Sequence, residues 1–117
     1  MKILIVEDDT NLLDAFKLIL EIKGHDVMTA ENGKIALDIT EKMVFDAILL
    51  DYYMPIMDGK TFLKKYKQRS SVSAKVLVAS NVSDTDVVDE MLRLGASDMV
   101  LKSDLSPNVL TEKIESL

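Results

Sequence analysis

The stretch Ala47-Ile48-Leu49-Leu50-Asp51 sets four apolar residues in a row and ends them on an acid. A run this short and this continuous suits a strand covered on both faces, because neither side of it meets water. Ile3-Leu4-Ile5-Val6 repeats the pattern and ends on Glu7-Asp8-Asp9. Two further runs do the same: Val76-Leu77-Val78-Ala79 ends on Ser80, and Met99-Val100-Leu101 ends on Lys102. Val27-Met28-Thr29-Ala30 is less apolar and reads as an edge strand.

Between these runs the apolar spacing changes from continuous to helical. Leu12, Leu13, Phe16, Ile19 and Leu20 share one helix face, and Gly24 supplies the stop. Asn32-Gly33 turns the chain into a helix carrying Ile35, Ala36, Ile39 and Met43. A loop, Met54-Pro55-Ile56-Met57-Asp58-Gly59, precedes a helix running to about Tyr66. Ser83-Asp84-Thr85-Asp86 resembles a capping box, opening a helix that passes Met91 and Leu92 and stops at Gly95. Ser106 caps a last helix with Pro107 at its first position, where a missing N–H costs nothing. Five βα units in succession predict a parallel sheet with helices on both faces, as one domain over residues 1–117. No repeat, linker or low-complexity stretch interrupts the pattern.

Composition narrows the function classes. Nearly half of the 117 residues are apolar, enough for one buried core, and aliphatic side chains must fill it because Trp is absent and aromatics are few. A net charge of −6 argues against a nucleic-acid surface, which Lys and Arg would have to supply. The absence of cysteine removes disulfides, thiol catalysis and cysteine metal sites. His25, the one histidine, lies in Lys23-Gly24-His25-Asp26 and reads as a solvated turn residue; alone it cannot build a multi-His zinc site. No apolar run is long enough for a bilayer and the first residues do not resemble a signal peptide, so the expected location is the cytoplasm.

The polar residues collect at strand ends. In an open parallel sheet, ligands bind beyond the carboxyl ends of the strands, where the strand order reverses. If the strand order is 2-1-3-4-5, the first and third strands flank that point, and Glu7, Asp8 and Asp51 converge. Carboxylates so close repel one another, so one must be protonated or a cation must sit among them. Oxygen donors without His or Cys select a hard ion such as Mg²⁺. Asp51 can act as a nucleophile toward phosphorus, Lys102 can pair with phosphoryl oxygens, and Ser80 can donate a hydroxyl hydrogen bond. The competing reading makes Glu7-Asp8-Asp9 an acidic helix N-terminus and leaves Ser80 and Lys102 solvated.

Taken together these residues resemble the response regulator receiver family of two-component phosphorelays. Ile5-Val6-Glu7-Asp8-Asp9 is similar to the family's acidic pocket, and Leu49 to Gly59, with its Met-Pro and Met-Asp-Gly, to its phosphoacceptor segment. Gly95-Ala96-Ser97-Asp98 leads at the family's spacing to Lys102. The resemblance implies a flavodoxin-like, doubly wound α/β fold with strand order 2-1-3-4-5. It also implies a Mg²⁺ site formed by Asp8, Asp51 and the main-chain carbonyl of Tyr53, with Glu7 acting largely through water. Asp51 would accept a phosphoryl group from a sensor histidine kinase or a histidine phosphotransfer protein. Ser80 would then move toward the phosphate and alter a face built from the fourth helix, fifth strand and fifth helix. That face would meet an output protein or output domain, or a second copy in a phosphorylation-dependent homodimer; direct nucleic-acid or membrane binding is not implied.

Three positions depart from the usual pattern. Met99 stands where the family's switch aromatic falls, so a two-position ring cannot report the state. Ser103 replaces the usual Pro after Lys102, and a cis bond before a non-proline residue would cost about 2.5–4 kcal/mol. Tyr53 and Val82 stand where polar residues would help position a hydrolytic water, which predicts a long-lived phosphoryl group.

Other functions fit less well. A phosphohydrolase of the haloacid-dehalogenase type needs an acid two residues after its nucleophile, where Tyr53 stands, and a cap domain. A flavodoxin-like cofactor binder needs a phosphate loop where Glu7-Asp8-Asp9 would repel phosphate. A degenerate receiver that only mediates contacts would not need the complete set Glu7, Asp8, Asp51, Ser80 and Lys102.

Overall fold

A computed structural model describes residues 1–69, 73–81 and 84–117. Strands β1 (Lys2–Val6), β2 (Asp26–Ala30), β3 (Ala47–Asp51), β4 (Lys75–Ser80) and β5 (Asp98–Leu101) alternate with five helices. These are α1 (Thr10–Ile22), α2 (Gly33–Lys42), α3 (Gly59–Lys67), α4 (Thr85–Arg93) and α5 (Pro107–Glu115). The strands form one parallel sheet in the order β2-β1-β3-β4-β5. The strand order reverses between β1 and β3, and β2 is an edge, as its sequence predicts.

The period-2 pleat sends alternate residues of each central strand to opposite layers. Leu4, Val6, Ile48, Leu50, Val76 and Val78 meet Ala36 of α2, Phe62, Leu63 and Tyr66 of α3, and Met91 of α4. Ile3, Ile5, Ala47, Leu49, Leu77 and Ala79 meet Leu13, Phe16 and Leu20 of α1 with Leu110 and Ile114 of α5. The sheet is therefore dry on both sides, which is why its strands read as unbroken apolar runs.

Each helix starts on a side chain that satisfies its free N–H groups. Asp9 caps α1, Asn32 caps α2, Asp58 caps α3 and Ser106 caps α5. The cap of α4 is Asp84, which accepts from the Asp86 N–H at 2.8 Å, one residue later than the expected box placed it; Ser83 lies outside the described residues. Gly24 and Gly95 close α1 and α4 in the left-handed region, at φ +91° and +108°. Among the described residues every peptide bond is trans, including Lys102–Ser103.

His25 corrects one expectation. It is not a solvated turn residue: its side chain is only 9% exposed and bridges two partners. Nε2 lies 3.1 Å from Oε1 of Glu115 on α5, and Nδ1 lies 3.1 Å from the Met1 amine. The Met1 carbonyl accepts from the Asp26 N–H, so this tie sits at the amino ends of β1 and β2.

Candidate functional site

The opposite, carboxyl ends of the strands carry the reactive groups. Glu7 follows β1 and its N–H donates to the Ala30 carbonyl at 3.0 Å, which anchors the turn. Its side chain is buried, 2% exposed, with Oε2 accepting from the Asp9 N–H at 3.2 Å. Asp51, the last residue of β3, is equally buried, whereas Asp8 is exposed to solvent. One carboxylate oxygen from each of Glu7, Asp8 and Asp51 lies within 4.8 Å of the others. The acidic trio thus divides: Asp9 binds the Asn11 and Leu12 N–H groups of α1, while Glu7 and Asp8 turn into the pocket.

Lys102 lies across from them. Its ammonium is 2.7 Å from Glu7 Oε1 and 3.0 Å from Asp51 Oδ1, and its side chain is 12% exposed, so it is not a solvated strand-end lysine. Ser80 is buried at the end of β4. Register places it one residue beyond Ala79, which is paired with Asp51, and opposite Leu101, which precedes Lys102. All five expected groups therefore share one edge of the sheet.

The electrostatics follow from this crowding. Burial, and then the hydrogen bond and charge of Glu7, push the Asp51 carboxyl up to about 7 against the opposing pull of Lys102. Burial alone would lower Lys102; hydrogen bonds to Glu7 and Asp51, with their charges, outweigh it and hold the ammonium above the ordinary lysine range. One ammonium does not compensate three carboxylates, so the pocket is short of positive charge. Hard oxygen donors in that number and proximity suit a small divalent cation that keeps some of its water, which fits Mg²⁺.

The segment after Asp51 is held more tightly than its sequence suggests. The Tyr52 N–H donates to the Ala79 carbonyl at 3.1 Å, and the Gly59 N–H returns to the Tyr52 carbonyl at 2.9 Å. A Cβ on Gly59 would lie 2.2 Å from the Asp51 carbonyl oxygen, so only glycine allows this approach. Inside the closed loop, Ile56 adopts φ +70° and the Met57 N–H donates to the Pro55 carbonyl at 2.7 Å, a strained three-residue turn. Nothing in the residue types announces it, since a β-branched side chain is the least suited to positive φ.

Tyr53 and Met99 take up different roles. The Tyr53 ring is 62% exposed and stands edge-on to Tyr52 at 4.6 Å between centroids. Met99 is half-buried against the α2–α3–α4 layer. Val82 lies outside the described residues. The segment sequence reasoning missed is Asn32-Gly33: Asn32 is buried, and the Gly33 N–H donates to the Met57 carbonyl at 3.2 Å. A turn signal was visible there, but not its partner.

Comparison with known proteins agrees with this geometry. The response regulator receiver domain model matches residues 3–115. The nisin biosynthesis regulatory protein NisR of Lactococcus lactis subsp. lactis is 33% identical over 115 residues, covering 98% of this chain and 49% of that protein. The probable transcriptional regulator ycf27 of Cyanidium caldarium is 35% identical over 117 residues, covering 98% and 45%. The chain therefore spans about half the length of the curated relatives it matches. In three dimensions it superposes on the chemotaxis protein CheY4 of Vibrio cholerae with a TM-score of 0.92 at 27% identity, covering 98% of this chain and 96% of that one. A parallel sheet in the order 2-1-3-4-5, acids and a lysine joined at its carboxyl edge, and a family match across nearly the whole length lead to one conclusion: this chain belongs to the response regulator receiver domain family.

Proposed function

We propose that this chain is a Mg²⁺-dependent phosphoacceptor switch, in which Asp51 takes a phosphoryl group from a histidine of a partner sensor kinase or phosphotransfer protein. The observation that carries this reading is the convergence of Glu7, Asp8 and Asp51 within 4.8 Å, with Lys102 bonded to two of them. An Asp51 oxygen attacks phosphorus while the P–N bond of the phosphohistidine breaks and the imidazole nitrogen keeps the electron pair. Attack requires the carboxylate, and Lys102 favours that form. Asp8, Asp51 and the Tyr53 carbonyl would hold the metal, with Glu7 behind them. When bound, Mg²⁺ supplies charge neutralisation for the phosphoryl oxygens. Lys102 and Ser80 hold the phosphoryl oxygens of the product in this reading.

The donor histidine is external in this reading, because His25 sits at the other end of the strands. The responding surface is α4, β5 and α5, with Met99 repacking in place of a ring. It would engage an output protein, an output domain or a second copy. We place the whole of residues 1–117 in one receiver unit that works in the cytoplasm, binds no nucleic acid itself and turns over no substrate beyond its own phosphoryl group. Among the described residues no helix is long and apolar enough to cross a membrane. In this reading the Tyr53 ring hinders a hydrolytic water and lengthens the phosphoryl lifetime.

Acetyl phosphate or a beryllofluoride with Mg²⁺ tests the reading by mass spectrometry and NMR. Modification should appear on Asp51 and vanish in Asp51→Asn. Uptake that persists in that variant, or needs no divalent ion, would overturn it. Lys102→Ala should retain partial uptake but lose the shift changes on α4, β5 and α5. Tyr53→Asn should shorten the phosphoryl lifetime; an equal or longer lifetime would remove the role given to the ring.

A further inference from the structure

The loop between β3 and α3 is fixed at its base by Gly59 and Tyr52, but its outer limb is fixed from a different element. The Gly33 N–H, in the first turn of α2, donates to the Met57 carbonyl at 3.2 Å. Gly33 leaves little room for anything else. A Cβ there would lie 2.7 Å from the Met57 carbonyl oxygen, 2.9 Å from its Cγ and 3.1 Å from its Cβ. The nearest of these is main chain, so the clash cannot be relieved by rotating a side chain.

The position of Gly33 is itself fixed. Asn32, which precedes it, is buried and caps α2 by accepting from the Ile35 N–H at 2.9 Å. Upstream, the Ala30 carbonyl accepts from the Glu7 N–H, so the segment leading to Gly33 is tied to the turn that presents Glu7 and Asp8. Ile56, just before Met57, is held at φ +70° in its tight turn. A strained turn persists only where its surroundings over-determine it, and the Gly33–Met57 contact closes the open side.

We infer that Gly33 is a positioning residue for the cation site, its missing side chain letting the first turn of α2 hold the loop after Asp51 in place. The inference rests on the proposed Mg²⁺ reading and deepens it. The loop carries the Tyr53 carbonyl and ends where Gly59 presses on the Asp51 carbonyl oxygen. A shift at Met57 therefore reaches the ligand set through a ring of only a few residues. Helix propensity points the other way. Gly33 does not occupy positive φ, and Ala is the better residue in a helical first turn, so on local grounds Gly33→Ala should stabilise the chain.

Gly33→Ala separates these effects, with Lys34→Ala as a neighbouring exposed helix control. Mg²⁺ is titrated into the full chain while backbone amide shifts of Glu7, Asp8, Asp51 and Tyr53 are followed, and thermal unfolding is measured in EDTA. Wild type and Lys34→Ala should bind alike. Gly33→Ala should bind at least fivefold more weakly, with at most a small loss of Tm, since the clash and the better helix propensity oppose one another. Before metal is added, its shift changes should be confined to α2's first turn and residues 54–58. Wild-type affinity in Gly33→Ala would overturn the inference while leaving the site reading intact. So would weakened binding accompanied by a large loss of Tm and shift changes across the sheet, since that is general destabilisation. If wild type shows no Mg²⁺ response at Glu7, Asp8 and Asp51, the site reading fails, and this inference with it.

Discussion

Strands β1 and β5 feed the same pocket but are held very differently. Residues Ile3 to Val6 of β1 have no exposed surface, and every residue of β3 beside it is buried. No residue of β5 is fully buried, and α4 against it buries only Met91. Glu7 and Asp51 thus hang from the most constrained strands in the molecule, while Lys102 hangs from the least. If the chain switches as proposed, the contrast lets it keep a precise charge arrangement and still respond to it. The acids stay where the core puts them, and the β5 side is the less buried of the two.

Core truncation tests that division most strongly. Leu4→Ala should cost about 2–5 kcal/mol, because a fully enclosed cavity cannot collapse. Met99→Ala, at a half-buried site on β5, should cost about 1 kcal/mol. Urea unfolding measures both, and equal losses would erase the contrast.

Proton linkage should come next in size. Asp51 binds its proton more tightly in the folded chain, near 7, than at its ordinary value of 3.8. Its contribution to stability is therefore complete below about pH 4 and disappears as pH rises through about 7. In EDTA the unfolding free energy measured by urea should fall between about pH 5 and pH 8, by on the order of 2 kcal/mol. The raised Lys102 titration lies above that window. Asp51→Asn should flatten the slope, and a slope that survives would assign it to another group.

Hydrogen exchange should then resolve the two sides directly, with β5 amides exchanging at least about tenfold faster than those of β1 and β3. The smallest effect belongs to the Lys113–Asp98 pair, 3.2 Å long and more than two-fifths exposed on each side, which ties α5 to the start of β5. Lys113→Ala should cost at most about 1 kcal/mol. A larger loss would show that the edge is clamped rather than loosely held.

The contrast also separates what the sequence made legible from what it did not. Runs such as Ile3-Leu4-Ile5-Val6 disclose burial on two faces, and burial on two faces with intervening helical periods leaves few topologies. The residues ending those runs then fall on one edge by geometry alone, which is why Glu7, Asp8, Asp51, Ser80 and Lys102 could be named together. Long-range backbone contacts leave no comparable trace. His25 looked like a turn residue because its partner Glu115 is ninety positions away in sequence. Gly33 looked like a turn glycine because Met57 uses only its carbonyl, which every residue has. Ile56 at positive φ contradicts its own propensity. Asp84 caps α4; Ser83, one residue earlier with the same acceptor chemistry, lies outside the described residues.

The Lys102 bridge sets a condition on which ions can enter. An incoming cation meets an ammonium already bonded to Glu7 and Asp51 and attached to the chain, so it competes with a counter-ion of very high local concentration. A sodium or potassium ion offers only the same single charge and must leave part of its own water, so it gains less from the three carboxylates than a divalent ion does. An ion with twice the charge improves on the resident ammonium, so filling of the pocket should depend far more on divalent than on monovalent salt.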